Sequence, residues 1–298
     1  MSLRVAVMRQ GRIVGTLPGE AASEAALLGL MFAGLPAPVA PPRQPGPTGA
    51  TVLELDRVCT PPRDGAVAPR DVSLRFVEGE ILGVAGVSGN GQAEMAELIP
   101  GERRPRRGGK RSWGENASTC SPAKIRARGT GSIPDDPLAL AAIGGLSVRE
   151  NLALGDSGRY GAGLGIAWRR LRAAIDASAA RLRFPPLSYE ARAGVLSGGN
   201  LQRVVLTREL AHGPKLIVAL YPNRGLYTRS AEALRELLRA AGSAGAAILL
   251  VSEDLEELFA LSDRLVVLRQ GRVVETFPPA SFQPETVGPS MVGAANVA

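Results

Sequence analysis

The chain has 298 residues, 45% of them hydrophobic, and carries a formal net charge of +7 with a pI near 10.1. That length and apolar content suffice for one large or two small cored domains, while apolar runs such as residues 244–251 fall well short of the roughly 18 residues needed to cross a bilayer. Two widely separated cysteines, Cys59 and Cys120, exclude a disulfide framework or thiolate metal cluster, and the basic charge, almost wholly arginine, comes with no nucleic-acid recognition motif.

Read from the N-terminus, the first signal is a repeat. Residues 4–18 (RVAVMRQGRIVGTLP) return as residues 264–278 (RLVVLRQGRVVETFP) at a constant offset of 260, nine of fifteen positions identical, and the register continues to Met31 and Met291. Each copy predicts a hairpin, two apolar strands joined by a turn at Gln-Gly. Residues 1–34 are therefore expected to be the tail of a preceding domain of the same kind. Six prolines in LPAPVAPPRQPGPTGA mark residues 35–50 as an extended linker, so the main domain is expected over 51–278, with 279–298 as a tail.

Within 51–278, strands and helices alternate. Strands are predicted at 52–55, 72–76 and 81–85, the last running into a Gly-rich loop and a helix from Gln92. Helices at 168–182 and 200–211 follow, then strand 216–220, helix 230–241, strand 248–251 and helix 255–260. Short, continuously apolar strands predict a parallel sheet covered on both faces, hence an α/β nucleotide-binding architecture.

Two segments carry chemistry. Gly86-Val87-Ser88-Gly89-Asn90-Gly91-Gln92-Ala93 has the glycine spacing of a P-loop, whose backbone N–H groups cradle phosphates, but Gln92 and Ala93 stand where Lys and Ser/Thr belong. A dinucleotide-binding loop or a purely steric turn would use the same glycines. About 100 residues on, Leu196-Ser197-Gly198-Gly199-Asn200-Leu201-Gln202 feeds a helix, again presenting amides and a hydroxyl at a helix start.

With both motifs present, the chain resembles the ABC ATPase family, and within it the C-terminal nucleotide-binding half of the simple-sugar and nucleoside importer type. GVSGNGQAE at 86–94, RGL at 224–226 after Pro222, and VSEDL at 251–255 carry the likeness over nearly all of 51–278. It implies a P-loop NTPase (RecA-like) core with an antiparallel β-subdomain and a helical subdomain at about 137–204. It also implies two tandem ATPase domains in one polypeptide, which accounts for the repeat. In this family the signature, here Leu196, Ser197, Gly198, Gly199, Asn200 and Gln202, reaches the γ-phosphate of an ATP held by the partner domain's P-loop.

Several positions depart from an active family member. Leu220 and Tyr221 stand where an Asp for Mg²⁺ and a catalytic Glu are expected, and Tyr227 replaces the Asp after Gly-Leu. Glu253 occupies the switch position, normally His, and Asp135 the glutamine-loop position. No aromatic residue lies between Arg57 and Arg75 to stack on adenine. No metal site of the chain's own is expected. Three other groups have structural readings: His212 as a helix C-terminal residue, Asp135-Asp136 as a permease-contacting loop, and Glu253-Asp254-Glu256-Glu257 as a capped, solvated helix start.

The resemblance implies an ATP-binding subunit, peripheral on the cytoplasmic face of the membrane, that couples ATP binding and hydrolysis to solute import. ATP and Mg²⁺ would sit at the partner site. Its partners would be a first or sibling nucleotide-binding domain, membrane permease subunits and, indirectly, an extracytoplasmic solute-binding protein. Nucleic acid would not be among them. A non-hydrolysing regulatory domain, or the product of a truncated and drifting gene, is the alternative that Tyr221 and Tyr227 suggest. A nicotinamide-dependent dehydrogenase would use the Gly-rich loop but leave the Leu-Ser-Gly-Gly helix without a role.

Overall fold

The computed structural model describes residues 4–9, 12–21, 23, 26–27, 30, 49–63, 65–154, 157–162, 165–181, 184, 188–224 and 228–293. The linker expected at 35–50 lies almost wholly outside them, as do Gly225, Leu226 and Tyr227. In chain order the strands are β1 (Arg4–Arg9), β2 (Arg12–Pro18), β3 (Thr51–Cys59), β4 (Val72–Val77), β5 (Ile81–Ala85), β6 (Arg107–Ser112), β7 (Glu115–Asn116), β8 (Thr130–Ile133), β9 (Gly161–Ala162), β10 (Gly165–Ile166), β11 (Leu216–Leu220), β12 (Ala247–Val251), β13 (Arg264–Arg269) and β14 (Arg272–Phe277). The helices are α1 (Gln92–Ala96), α2 (Pro122–Ala127), α3 (Pro137–Leu140), α4 (Val148–Ala153), α5 (Ser157–Tyr160), α6 (Trp168–Arg181), α7 (Gly198–Leu210), α8 (Thr228–Ser243), α9 (Leu255–Leu261) and α10 (Pro284–Val292).

The central sheet runs β14-β13-β5-β12-β11-β8, with β13, β5, β12, β11 and β8 parallel. β14 is antiparallel, so the sheet is mixed at that edge rather than wholly parallel. β5, β11 and β12 are buried at every position, which is why they read as continuous apolar runs. Their side chains still alternate between faces. Leu82, Val84, Leu249 and Val251 pack with the antiparallel sheet β4-β3-β6-β7 and with Met95 of α1. Ile81, Ile248 and Leu250 pack instead against Leu206, Leu234, Leu238, Leu258 and Val287 of α7 to α10. Each fully buried aliphatic side chain contributes about 1.5–3 kcal/mol, so both faces of β5 are strongly held. A separate core of Val148, Leu152, Leu171, Ile175 and Val204 organises the helices between β8 and β11.

The repeat holds in three dimensions. β1 pairs with β2 in the register Val5↔Leu17, Val7↔Gly15 and Met8↔Ile13, with a bulge between Val7 and Met8. β13 pairs with β14 as Leu265↔Phe277, Val267↔Glu275 and Leu268↔Val273, with its bulge between Val267 and Leu268. All five pairs of β13 with β14, and the bulge, coincide with pairs of β1 with β2 at the offset of 260; Arg4↔Pro18 alone has no counterpart. The surroundings differ: β13 also pairs in parallel with β5, whereas among the described residues β1 pairs with β2 alone.

The turn of the second hairpin positions the Gly-rich loop. Gly271 N–H donates to the Asn90 carbonyl at 2.9 Å, and the Gly271 carbonyl accepts from Arg70 N–H at 2.7 Å. Gly271 has φ +77°, and a Cβ there would lie 2.1 Å from the Ala68 carbonyl oxygen. Gly271→Ala must displace backbone and adopt a left-handed conformation. It is expected to lower stability by roughly 1–3 kcal/mol in urea unfolding and to shift the Asn90 amide resonance.

Candidate functional site

β5 delivers the Gly-rich loop to the carboxyl end of the sheet, where parallel α/β folds bind ligands. The tip, Val87, Ser88 and Gly89, is exposed, whereas Gly86, Gly91 and Gln92 are buried. Gly91 has φ +97°, and a Cβ on it would meet the Val67 carbonyl at 2.8 Å, so glycine is required where the loop turns into α1.

Gln92, which the sequence aligns with a P-loop lysine, folds back over the loop. Its Oε1 accepts from Asn90 N–H at 3.1 Å, and its Nε2 donates to the Val87 carbonyl at 3.0 Å. Asn90 Nδ2 donates to that same carbonyl at 2.8 Å. One of the amides a phosphate would use is thus already satisfied from within. Ala93, next in the chain, sets its methyl group against the core.

The side chains facing this loop form an ionic cluster. Ser88 Oγ donates to Glu253 Oε1, and Arg224 lies 3.7 Å from both Glu253 and Asp135. The Arg224 guanidinium also covers the Tyr221 ring at 4.6 Å. With Arg224 about half exposed, each ion pair is worth about 0–1 kcal/mol. Tyr221 itself has φ 44°. Burial, and then the Glu253 charge, push its phenol above the usual tyrosine value. Beneath the switch segment Ser252 Oγ donates to Glu257 Oε2 at 2.6 Å, and Asn223 Nδ2 donates to the other carboxylate oxygen. Asp254 caps α9, as expected of a helix start, but Glu257 is buried rather than solvated.

The signature turn presents different chemistry. Ser197 is the N-cap of α7 yet makes no side-chain capping bond, and both Ser197 and Gly198 are exposed. A Cβ on Gly198 would meet nothing within 4 Å. Gly198 therefore borders open space at the start of a thirteen-residue helix, where the positive end of its dipole lies. Gly199 is half-buried, Leu196 packs on the helical core, and Asn200 accepts from Arg203 at 2.8 Å. Gln202 turns inward: it is buried, and its Nε2 donates to the Pro222 carbonyl at 3.2 Å, so it braces the loop after β11. Among the described residues no hydrogen bond or ion pair joins the signature turn to the Gly-rich loop.

His212 follows α7 and contacts the Tyr160 hydroxyl at 3.2 Å, remote from the loop's own partners. Sequence reasoning missed the bridging position of Arg224 and the closure by Gln92. The only signal for either was a polar residue displaced from its expected partner.

A glycine loop after the central strand of such a sheet, an antiparallel sheet on one face and a helical insert leading to Leu-Ser-Gly-Gly define an ATP-binding cassette fold. Residues 69–219, just over half of the chain, match the family profile described as "ABC transporter". The chain belongs to the ABC transporter family. It is 36% identical over 294 residues, 97% of the chain, to the glucose import ATP-binding protein TsgD13 of Haloferax volcanii, covering 53% of that protein. It is 33% identical over 297 residues, 97% of the chain, to the guanosine import ATP-binding protein NupO of Bacillus subtilis, covering 57% of that protein. The chain thus spans about half the length of the curated relatives it matches. A solved nucleotide-free cassette from an ABC transporter shares the fold at a TM-score of 0.68 and 20% identity, over 82% of this chain and 98% of its own. A dimeric bacterial ABC transporter cassette does so at 0.66 and 21%, over 76% of this chain and 98% of its own.

Burial raises the Glu257 carboxyl above its usual value, against the opposing Ser252 bond. A raised folded pKa means that the native state binds the proton more tightly than the unfolded state. Stability therefore rises as pH falls through the folded value toward the unfolded one. Glu257→Gln is expected to flatten that rise in denaturation midpoints measured from about pH 8 to about pH 4.

Proposed function

We propose that this chain is an ATP-binding subunit of an importer of the sugar or nucleoside type, whose own P-loop is degenerate and whose signature completes an ATP site on a partner cassette. The observation that carries the reading is the contrast at the two motifs. The signature helix starts exposed and uncapped at Ser197, while Gln92 takes up one amide of the Gly-rich loop, Glu253 bonds its Ser88, and Asp135 and Glu253 share Arg224. Losing the lysine removes charge-assisted bonds of roughly 1.5–3 kcal/mol each, about 10- to 150-fold in affinity per bond. Tyr221 offers no carboxylate to position water, and two acidic side chains against a single Arg224 oppose a polyphosphate.

In this reading residues 1–34 are the tail of a preceding cassette, 35–50 a linker and 51–278 the cassette itself, with a helical subdomain at about 137–204. The two hairpins, which share five pairs and a bulge at a constant offset, support it. ATP and Mg²⁺ sit between the partner's P-loop and Ser197, Gly198 and Gly199. Closure there drives permease subunits at the cytoplasmic face of the membrane, with a solute-binding protein acting on the other side. The names of the relatives, which import glucose or guanosine, support the solute class. Among the described residues no helix is long and apolar enough to cross a membrane.

The test is equilibrium binding of a fluorescent ATP analogue to this chain, to a sibling cassette with an intact P-loop, and to their mixture. Saturable binding in the mixture that exceeds the sibling's own and falls about tenfold or more with Ser197→Arg is the expected result. Tight binding by this chain alone would overturn the degenerate-site reading.

A further inference from the structure

The helical insert carries a cleft of about 190 Å³ that the nucleotide chemistry leaves unused. Its walls come from α4, from the first turn of α6 and from the segment at 189–190. α4 is fixed at its start by a reciprocal cap between Ser147 and Glu150, and Arg149 N–H donates to the Tyr189 carbonyl at 3.0 Å. Val148 N–H donates to the Ala191 carbonyl at 2.8 Å, so the segment 189–191 is held to α4 by its backbone. On α6 a spacing of four places Trp168, Arg172 and Asp176 along one face, while Leu171 turns into the core and floors the cleft.

Two pairs of an aromatic ring and a guanidinium face this space. Arg149 lies over the Trp168 ring at 5.0 Å, and Arg172 over the Tyr189 ring at 5.0 Å. Each arginine also has a carboxylate neighbour: Arg149 Nη1 donates to Glu190 Oε1 at 3.2 Å, and Arg172 Nε lies 3.6 Å from Asp176. Tyr189 donates its hydroxyl to Asp176, and burial, then that bond, push the phenol above its ordinary value, so the ring stays a neutral wall. A third arginine, Arg169, lines the cleft, is exposed and has no ion-pair partner among the described residues. Trp168 is left 37% exposed.

Size, shape and charge together select a ligand. The cleft is smaller than the roughly 300–1,000 Å³ of sites that enclose drug-sized molecules, so it admits one ring system and not a nucleotide. Stacking on an aromatic face leaves the edge of a guanidinium free, and that planar fork matches a carboxylate. Three guanidiniums set against Glu190 and Asp176 leave one positive charge in excess, the complement of a monoanion. A phosphate monoester, at about −1.5 to −2, carries more charge than the cleft can match.

We infer that this cleft is a binding site for a single-ring aromatic carboxylate, its ring packed beside Trp168 and Tyr189 and its carboxylate on the free guanidinium edges of Arg149, Arg169 and Arg172. The aromatic walls favour a ring that meets them edge to face or offset. Both parts of the ligand are needed. An uncharged ring has no claim on the guanidinium edges, and a carboxylate without a ring buries nothing against Trp168 and Leu171.

The chain has two tryptophans, Trp113 and Trp168, so tryptophan emission reports on the cleft directly. The experiment titrates the full chain with benzoate and with 4-hydroxybenzoate, and with benzamide and cyclohexanecarboxylate as comparisons. Both aromatic acids are expected to give a saturable change in emission that persists in Trp113→Phe, with either comparison binding at least about tenfold more weakly. Arg169→Gln, at an exposed position, is expected to weaken benzoate binding about tenfold, and Arg149→Lys, which keeps the charge but loses the planar fork, by a similar factor. Calorimetry on the same solutions serves any variant whose own fluorescence is altered, and circular dichroism shows that each is folded. No saturable binding by either acid up to about 10 mM overturns the proposal, as does binding that both arginine variants leave unchanged. Benzamide or cyclohexanecarboxylate binding as well as benzoate would deny the charge or the ring its part and overturn it too.

Discussion

The parallel pairing of β5 on both edges, with β13 and β12, governs the placement of everything around the Gly-rich loop. Because β5 is central and buried on both faces, its carboxyl end has a single position. The turn of the β13–β14 hairpin, the loop carrying Val67 and Ala68, and the ends of β11 and β12 all converge there. The close approaches at Gly91 and Gly271 are consequences of that convergence, since backbone from three segments shares a space that admits no Cβ. The same convergence brings Ser88, Asp135, Tyr221, Arg224 and Glu253 together from segments as much as 165 residues apart.

What fills the loop decides its chemistry. A phosphate cradle needs unsatisfied amides and excess positive charge. This loop has Gln92 and Asn90 bonded back into it, and the surrounding charges favour the negative sign. The Leu-Ser-Gly-Gly turn differs, with Ser197 and Gly198 exposed and a serine hydroxyl that makes no capping bond. One chain thus carries two glycine-rich turns of contrasting character, one at the start of α7 and one at the end of β5.

The two hairpins illustrate how far local sequence can go. The identical residues and the bulge position recur together, because a bulge is determined by neighbouring residues. The fate of each hairpin is not local. Val266 and Leu268 are buried against the core, whereas Met8, at the position equivalent to Leu268, is 67% exposed.

The sequence by itself determined the alternation of strands and helices, the buried character of β5, β11 and β12, the repeat, and the two glycine-rich turns that each lead into a helix. Periodicity and glycine spacing are local properties, so they survive in one dimension. The predicted strand at 52–55 was too short, β3 reaching Cys59, because its bulges interrupt the alternation that signals a strand. Only the tertiary structure decided that Gln92 turns back into its loop, that Gln202 faces inward, that Arg224 stands between Asp135 and Glu253, and that Arg149 and Arg172 lie over Trp168 and Tyr189. Each depends on which distant groups share a small volume, and a side chain's partner is set by that shared space, not by its neighbours along the chain.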